Sequence, residues 1–240
     1  MKKPNISEND GIRNLHFGTH FIQGAMRLDN PIALEFEYIQ QMMLWTLFIK
    51  RPKHIIQLGL GAGALTKFCH HYFADSCTTV IEREPAVITE CRTHFALPSN
   101  DERLSVIAID AWDYVSDPAN HASCDVLQVD LYDAKASEPT LNSPEFYSAC
   151  ANCLTTDGIL TVNIFCDRED HNKNIEAIEH AFSAVAWLPE VHDSNIVAVA
   201  FKNAPSIDFE QLYLRSEQIE QQLKLPAKSW VDGLMLWMQR

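Results

Sequence analysis

The strongest constraint in this sequence is an alternation of β-rich runs with helix-length segments, whose first run ends in three glycines: "HIIQLGLGAGAL", His54 to Leu65. "HIIQLGL" (54–60) reads as a buried strand and "ALTKFCHHYF" (64–73) has helical spacing. "CTTVIE" (77–82) is strand-like, and "EPAVITECRTHF" (84–95) is helical with Pro85 in its first turn. "LSVIAID" (104–110) and "DVLQVDLYD" (125–133) read as strands, "SPEFYSACANCL" (143–154) as a helix, and "GILTVNIF" (158–165) as a strand behind a turn at Asp157-Gly158. "NIEAIEHAFSAV" (174–185) and "NIVAVAF" (195–201) add one more helix and strand. Strands separated by helices build βαβ units, so the expected fold is α/β, doubly wound, with a mainly parallel sheet.

Two flanks remain. "LHFGTHFIQGAM" (15–26) suits a short hairpin, and Asn30-Pro31 suits the start of one long helix, "PIALEFEYIQQMMLWTLFI" (31–49). The tail, "IDFEQLYLRSEQIEQQLKL" (207–225) and "WVDGLMLWMQ" (230–239), is helical in pattern. The expected division is an N-terminal hairpin and helix over 1–50, a Rossmann-like domain over 51–204 and a helical tail over 205–240. The apolar runs "MMLWTLFI" and "LMLWM" fit the core, or alternatively a surface for assembly.

With 240 residues, 47% of them hydrophobic, the chain can bury one substantial core. No stretch reaches the roughly 18 uncharged apolar residues of a membrane span, and no apolar leader follows the first lysines, so a soluble, cytoplasmic protein is expected. Seven cysteines without repeating spacing fit reduced, buried thiols, and the histidines form no ligand spacing, so no metal is expected. A net charge of −13 without a basic stripe argues against nucleic acid and suits a cationic ligand.

In such sheets ligands sit beyond the carboxyl ends of the strands. Gly59, Gly61 and Gly63 leave bare backbone at the first strand end and open a helix, which serves either a ligand or simply a tight turn. Glu82 ends the next strand, where Rossmann-type folds place an acid for ribose hydroxyls. Asp110, followed by Ala111 and Trp112, can accept from a purine amine beside small and flat neighbours, or cap the helix "AWDYV". Three strand ends thus describe one nucleoside. Asp130 and Asp133, at the tip of the fourth strand, can neutralise a cation or accept a proton. That suits an amine, which has a pKa of about 10.4 and must lose a proton before it attacks.

The stretches "HIIQLGLGAGAL", "VIEREPAVI", "IAIDAWDYV" and "CDVLQVDLYDAKASEPTLNSPEFYSACANCLTTDGIL" resemble the spermidine synthase (polyamine aminopropyltransferase) family. The Asp-x-x-Asp at a strand tip followed by "EFY" is more specific than the glycine loop. The resemblance implies the S-adenosylmethionine-dependent methyltransferase-like Rossmann fold. It also implies transfer of an aminopropyl group from decarboxylated S-adenosylmethionine to a small amine, without a metal. By position, Gly59, Gly61 and Gly63 would border this co-substrate, Glu82 would hold its ribose, and Asp110 with Ala111 its adenine. Asp130 would accept the proton and Asp133 would bind the amine. Tyr38 and Gln23 resemble the tyrosine and glutamine of the family's substrate site, although Tyr38 also fits a core position.

The departures are equally specific. Ala62 stands where the family's loop carries an aspartate, Ile39-Gln40 follows Tyr38 in place of His-Glu, and "WLPEVHDSN" replaces the late Tyr-Pro-x-Gly loop. They point to altered substrate handling. They also leave room for a methyltransferase using intact S-adenosylmethionine, or for a silent nucleoside-binding or assembly protein. A homodimer is compatible with the sequence but not required by it.

Overall fold

The structure, a computed structural model, describes residues 4–18, 22–131, 143–165, 168–189 and 195–239. It opens with a three-stranded antiparallel sheet: β1 (Asn5–Asn9), β2 (Ile12–His16) and β3 (Gly24–Arg27). The expected hairpin is β2 with β3, but β1 precedes it. Asp10 and Gly11 turn β1 into β2 with positive φ at both residues, the backbone that an Asp-Gly pair favours in a two-residue hairpin.

The long helix expected from Pro31 does not form. Residues 31–33 are a turn, α1 spans only Glu37–Gln41, and a 3-10 turn follows at Leu44–Leu47. The cause is tertiary. The Met42 carbonyl accepts from Gln128 Nε2 at 2.9 Å and from Thr161 Oγ1 at 3.1 Å, while Thr46 Oγ1 donates to the Met43 carbonyl. Met42 through Trp45 are fully buried, so the run is enclosed on all sides and its carbonyls are served by the sheet.

The strands β4 (His54–Leu58), β5 (Cys77–Glu82), β6 (Leu104–Ala108), β7 (Cys124–Val129), β8 (Leu154–Phe165), β9 (Ala184–Trp187) and β10 (Asn195–Phe201) form the main sheet, in the order β6-β5-β4-β7-β8-β10-β9. The first five run parallel, whereas β10 is antiparallel to both β8 and β9. The crossovers carry α2 (Ala64–Tyr72), α3 (Pro85–His94), α4 (Ala111–Val115), α5 (Pro144–Cys153) and α6 (Arg168–Ala181). This is the doubly wound, mainly parallel α/β architecture of the methyltransferase-like Rossmann fold. Its switch point lies between β4 and β7, because the chain adds β5 and β6 on one side of β4 and then crosses back to add β7 on the other.

Two further expectations change. Asp157-Gly158 is not a turn before a strand but a bulge within β8, where the pairing steps from Cys124–Leu154 to Val126–Ile159 and residues 155–158 lie opposite the single residue Asp125. The helix read over 174–185 stops at Ala181, and Ala184–Trp187 pairs with β10 as a strand. Ser183 marks the change by donating its backbone N–H to the Phe201 carbonyl.

Both sheet faces are buried; residues such as Ile55, Ile56, Leu127 and Val129 are completely enclosed, each contributing about 1.5–3 kcal/mol. The middle of β4 and β7 is polar, however. Gln57 Nε2 donates to Gln128 Oε1 at 2.9 Å, and Thr66 Oγ1 donates to Gln57 Oε1 at 2.7 Å. At the C-terminal end α7 (Phe209–Leu223) and α8 (Ala227–Met238) pack over the 3-10 turn, and Arg215 Nε donates to the Thr46 carbonyl. Five of the six described cysteines are buried and all six are free thiols. No helix among the described residues is long and apolar enough to cross a membrane.

Candidate active site

The site forms where β4 ends. Gly59, Gly61 and Gly63 have φ of +93°, +51° and +69°, left-handed backbone that side chains disfavour. Space demands glycine as well. A Cβ on Gly59 would lie 2.1 Å from the Asp130 carbonyl oxygen, and one on Gly61 would lie 3.0 Å from the Gln23 carbonyl oxygen. The loop is therefore pressed between the tip of β7 and the N-terminal sheet. From that sheet Gly24 abuts Ala62, which is 2% exposed and packs with Leu15 and Met26.

Side chains from β5 and α3 fix the loop from behind. Glu82, the last residue of β5, accepts from Leu60 N at 3.2 Å and from Glu84 N at 2.8 Å. Burial pushes its carboxyl above the ordinary 4.5, and these two N–H donors partly offset the rise. Cys91 Sγ donates to the Gly61 carbonyl at 3.0 Å, its thiol pushed up to about 12 by burial. Lys67, in the second turn of α2 and 2% exposed, donates to the Phe95 carbonyl and is lowered to about 8 by desolvation.

Asp110 caps α4, its Oδ1 accepting from Trp112 N at 2.8 Å, while Oδ2 lies 3.8 Å from Arg83 Nη1. One carboxylate oxygen thus serves the helix. Ala111 is buried behind it. Asp130 donates its backbone N–H to the Leu58 carbonyl, and its Oδ1 accepts from Asn163 Nδ2 at 2.9 Å. Burial pushes the Asp130 carboxyl above the usual carboxylate range, and the Asn163 bond opposes this.

The expected residues fall into three groups. Gly59, Gly61, Gln23, Glu82 and Asp130 meet at the loop through the contacts just given, and Gly63 starts α2 beyond it. Asp110 and Ala111 follow the neighbouring edge strand, linked through Arg83. Tyr38 is carried by α1 with its ring stacked on Phe36 at 6.0 Å, and Gln23 is held by its backbone N–H on the Leu15 carbonyl. Asp133 lies outside the described residues. Asn163 and Cys91 were not anticipated. Asn163 was visible as a lone amide closing the apolar run "GILTV", whereas nothing in the pattern of α3 marked Cys91. Among the described residues no group of three or more metal-binding side chains converges.

A bare glycine turn at the switch point, a part-buried acid on the next strand and a part-buried carboxylate one strand to the other side are set at the strand ends of a methyltransferase-like Rossmann fold. The chain shares this fold with human methyltransferase-like protein 13 in complex with SAH, at a TM-score of 0.70 and 20% identity, over 79% of this chain and 93% of that one. It also shares it with a probable spermidine synthase from Corynebacterium glutamicum, at a TM-score of 0.76 and 19% identity, over 96% and 91%. The spermine/spermidine synthase domain model matches residues 35–211, and the polyamine aminopropyltransferase of Chromobacterium violaceum is 30% identical over 98% of this chain and 90% of its own length. The chain belongs to the spermine/spermidine synthase family, a family of transferases.

Proposed function

We propose that the protein transfers an aminopropyl group from decarboxylated S-adenosylmethionine to a small cationic amine. The observation that carries this reading is the Asp130 carboxylate, held by Asn163 at the tip of β7 directly beside the glycine turn. Gly59, Gly61 and Gly63 border the co-substrate, and Gln23 lies beside that turn. Glu82 takes the ribose hydroxyls with the carboxylate that already orders Leu60. Asp110 and Ala111 receive adenine at the start of α4.

The amine reaches the site protonated and is drawn by an acidic protein. Asp133 binds it, and Tyr38 lines its path. Asp130 takes the proton as nitrogen attacks the carbon next to the sulfonium; the new C–N bond forms, the C–S bond breaks, and methylthioadenosine leaves with the electron pair on sulfur.

Substrate handling differs from the family pattern at Ala62. This residue is apolar, buried and packed on Gly24, so the turn offers no carboxylate to the ammonium of the transferred group. A charge-assisted hydrogen bond of roughly 1.5–3 kcal/mol is thereby absent. The same feature supports a second reading, a methyltransferase, because a neutral turn does not repel the carboxylate of intact S-adenosylmethionine. Calorimetric titration with decarboxylated S-adenosylmethionine, intact S-adenosylmethionine and methylthioadenosine separates them. Tighter binding of the decarboxylated form is expected; tighter binding of the intact form selects the methyltransferase, and no binding rejects both.

A further inference from the structure

Parallel pairing sets Val129 of β7 against Val162 of β8, so the next residues stand side by side, Asp130 just past the tip of β7 and Asn163 two residues before the end of β8. Asn163 is 2% exposed, and its amide is aimed at Asp130, Nδ2 to Oδ1 at 2.9 Å. Asp130 is held at its backbone too, through its N–H on the Leu58 carbonyl at 2.9 Å. Among the described residues Oδ2 receives no hydrogen bond, so Oδ1 alone is tethered.

We propose that Asn163 is the positioning residue for the base of this reaction. It keeps the Asp130 carboxylate ionised and turned so that Oδ2 faces the incoming amine. The inference rests on the aminopropyltransferase reading for its functional meaning, though the Asn163–Asp130 pair exists whatever the substrate is.

The chemistry follows from what surrounds Asp130. The end of β4 contributes Leu58 and the following Gly59, the segment after β7 contributes Leu131, and β8 contributes Asn163; none carries a charge. Glu82 lies at the end of β5, on the far side of β4, and Asp133 lies outside the described residues. No described cation is therefore paired with Asp130. Burial alone would favour the protonated acid, which cannot take a proton from the amine. An amide N–H opposes that tendency because it donates more strongly to a carboxylate than to a neutral acid, without bringing a competing charge. A lysine there would instead neutralise the base and repel the cationic amine. An amide thus holds Asp130 basic while leaving its charge for the substrate.

The test uses N163L, which keeps the volume and removes the donor, and N163A in case leucine prevents folding. Each variant is first checked for methylthioadenosine affinity, expected within about twofold of the parent. The carboxyl carbon of Asp130, assigned by its absence in D130N, is then titrated by 13C NMR alongside the pH dependence of kcat/KM. Loss of the donor should raise the midpoint by about half a pH unit or more, move the acid limb of kcat/KM with it, and lower kcat at neutral pH about tenfold with KM for the adenosyl co-substrate unchanged. An unchanged midpoint in the folded variants overturns the proposal. Undiminished transfer by D130N also overturns the proposal, since Asp130 is then not the base; failure of the aminopropyltransferase reading looks different, because the parent then transfers no aminopropyl group while the carbon titration still reports whether Asn163 holds the carboxylate.

Discussion

The carbonyl oxygen of Asp130 occupies the place where a Cβ of residue 59 would stand, 2.1 Å from its ideal position. Glycine at 59 and the carboxylate at 130 are therefore one structural decision: the base can sit beside the turn only because the turn has no side chain there. The φ of +93° adds a conformational demand that alanine meets poorly. G59A should lower stability by about 1–3 kcal/mol through strain, and more if the β7 tip cannot shift. Because relief requires moving Asp130, methylthioadenosine affinity and turnover should fall together; a G59A protein with the parent melting temperature and turnover would show the contact to be soft.

Asp130 itself tolerates amide replacement sterically, since it is part-buried and its Oδ1 already faces an amide donor. D130N removes the base without removing volume. Turnover should drop about 10²- to 10⁴-fold with the melting temperature nearly unchanged. Stopped-flow or discontinuous product assays at saturating amine measure this; a loss below threefold assigns the proton to another acceptor.

Glu82 joins ligand binding to pH. Its folded value lies above 4.5, so the stability it contributes is fully present below 4.5 and is lost as pH rises through the folded value. E82Q lacks this titration. Denaturant unfolding of both proteins from pH 4 to 7 should show the parent losing stability relative to E82Q as pH rises. E82A should also weaken methylthioadenosine binding at least about tenfold, since both the Leu60 and Glu84 anchors are lost. Parallel pH profiles would mean that Glu82 titrates as an exposed carboxylate.

Lys67 gives the opposite sign. Its value in the folded protein is lowered to about 8 from 10.5, so the associated stability is present above 10.5 and is lost as pH falls through 8. Relative to K67M, the parent should gain up to about 3 kcal/mol between pH 8 and 10.5. Near pH 7 the charged, buried ammonium leaves the methionine variant equal or better in stability, apart from the lost hydrogen bond to Phe95. A K67M protein that is uniformly weaker at every pH would show that the hydrogen bond outweighs the desolvation.

The parts of this molecule legible in the sequence are those governed by local rules. Glycines with positive φ, an acid at a strand end, and the Pro85 and Ser143 helix starts all announce themselves over a few residues. Asp110 showed the limit of that method: ligand contact and helix capping call for the same residue type, and its Oδ1 does cap α4. Asn163 depends on a register set 33 residues away, and Cys91 on how α3 settles behind the turn. The misread helix over 31–49 is the clearest case, because its propensity and N-cap signals were sound. What they could not include was a glutamine on β7 competing for its carbonyls.

That competition can be tested. Gln128 is 1% exposed and joins Gln57, Thr66 and the Met42 carbonyl into one buried chain that fixes the break between α1 and the 3-10 turn. In Q128L the Gln57 amide keeps only the weak Cys69 sulfur acceptor at 3.5 Å, while the Met42 carbonyl keeps only Thr161. Leaving a buried polar group unpaired costs about 1–3 kcal/mol, so Q128L should unfold correspondingly earlier in denaturant. Pairing it with Q57L removes the orphaned amide, and the double variant should recover part of the loss, although Thr66 then needs a new acceptor. If the two losses simply add, the glutamines act independently, and the broken helix is held by packing around Met42 and Trp45 rather than by this hydrogen-bonded chain.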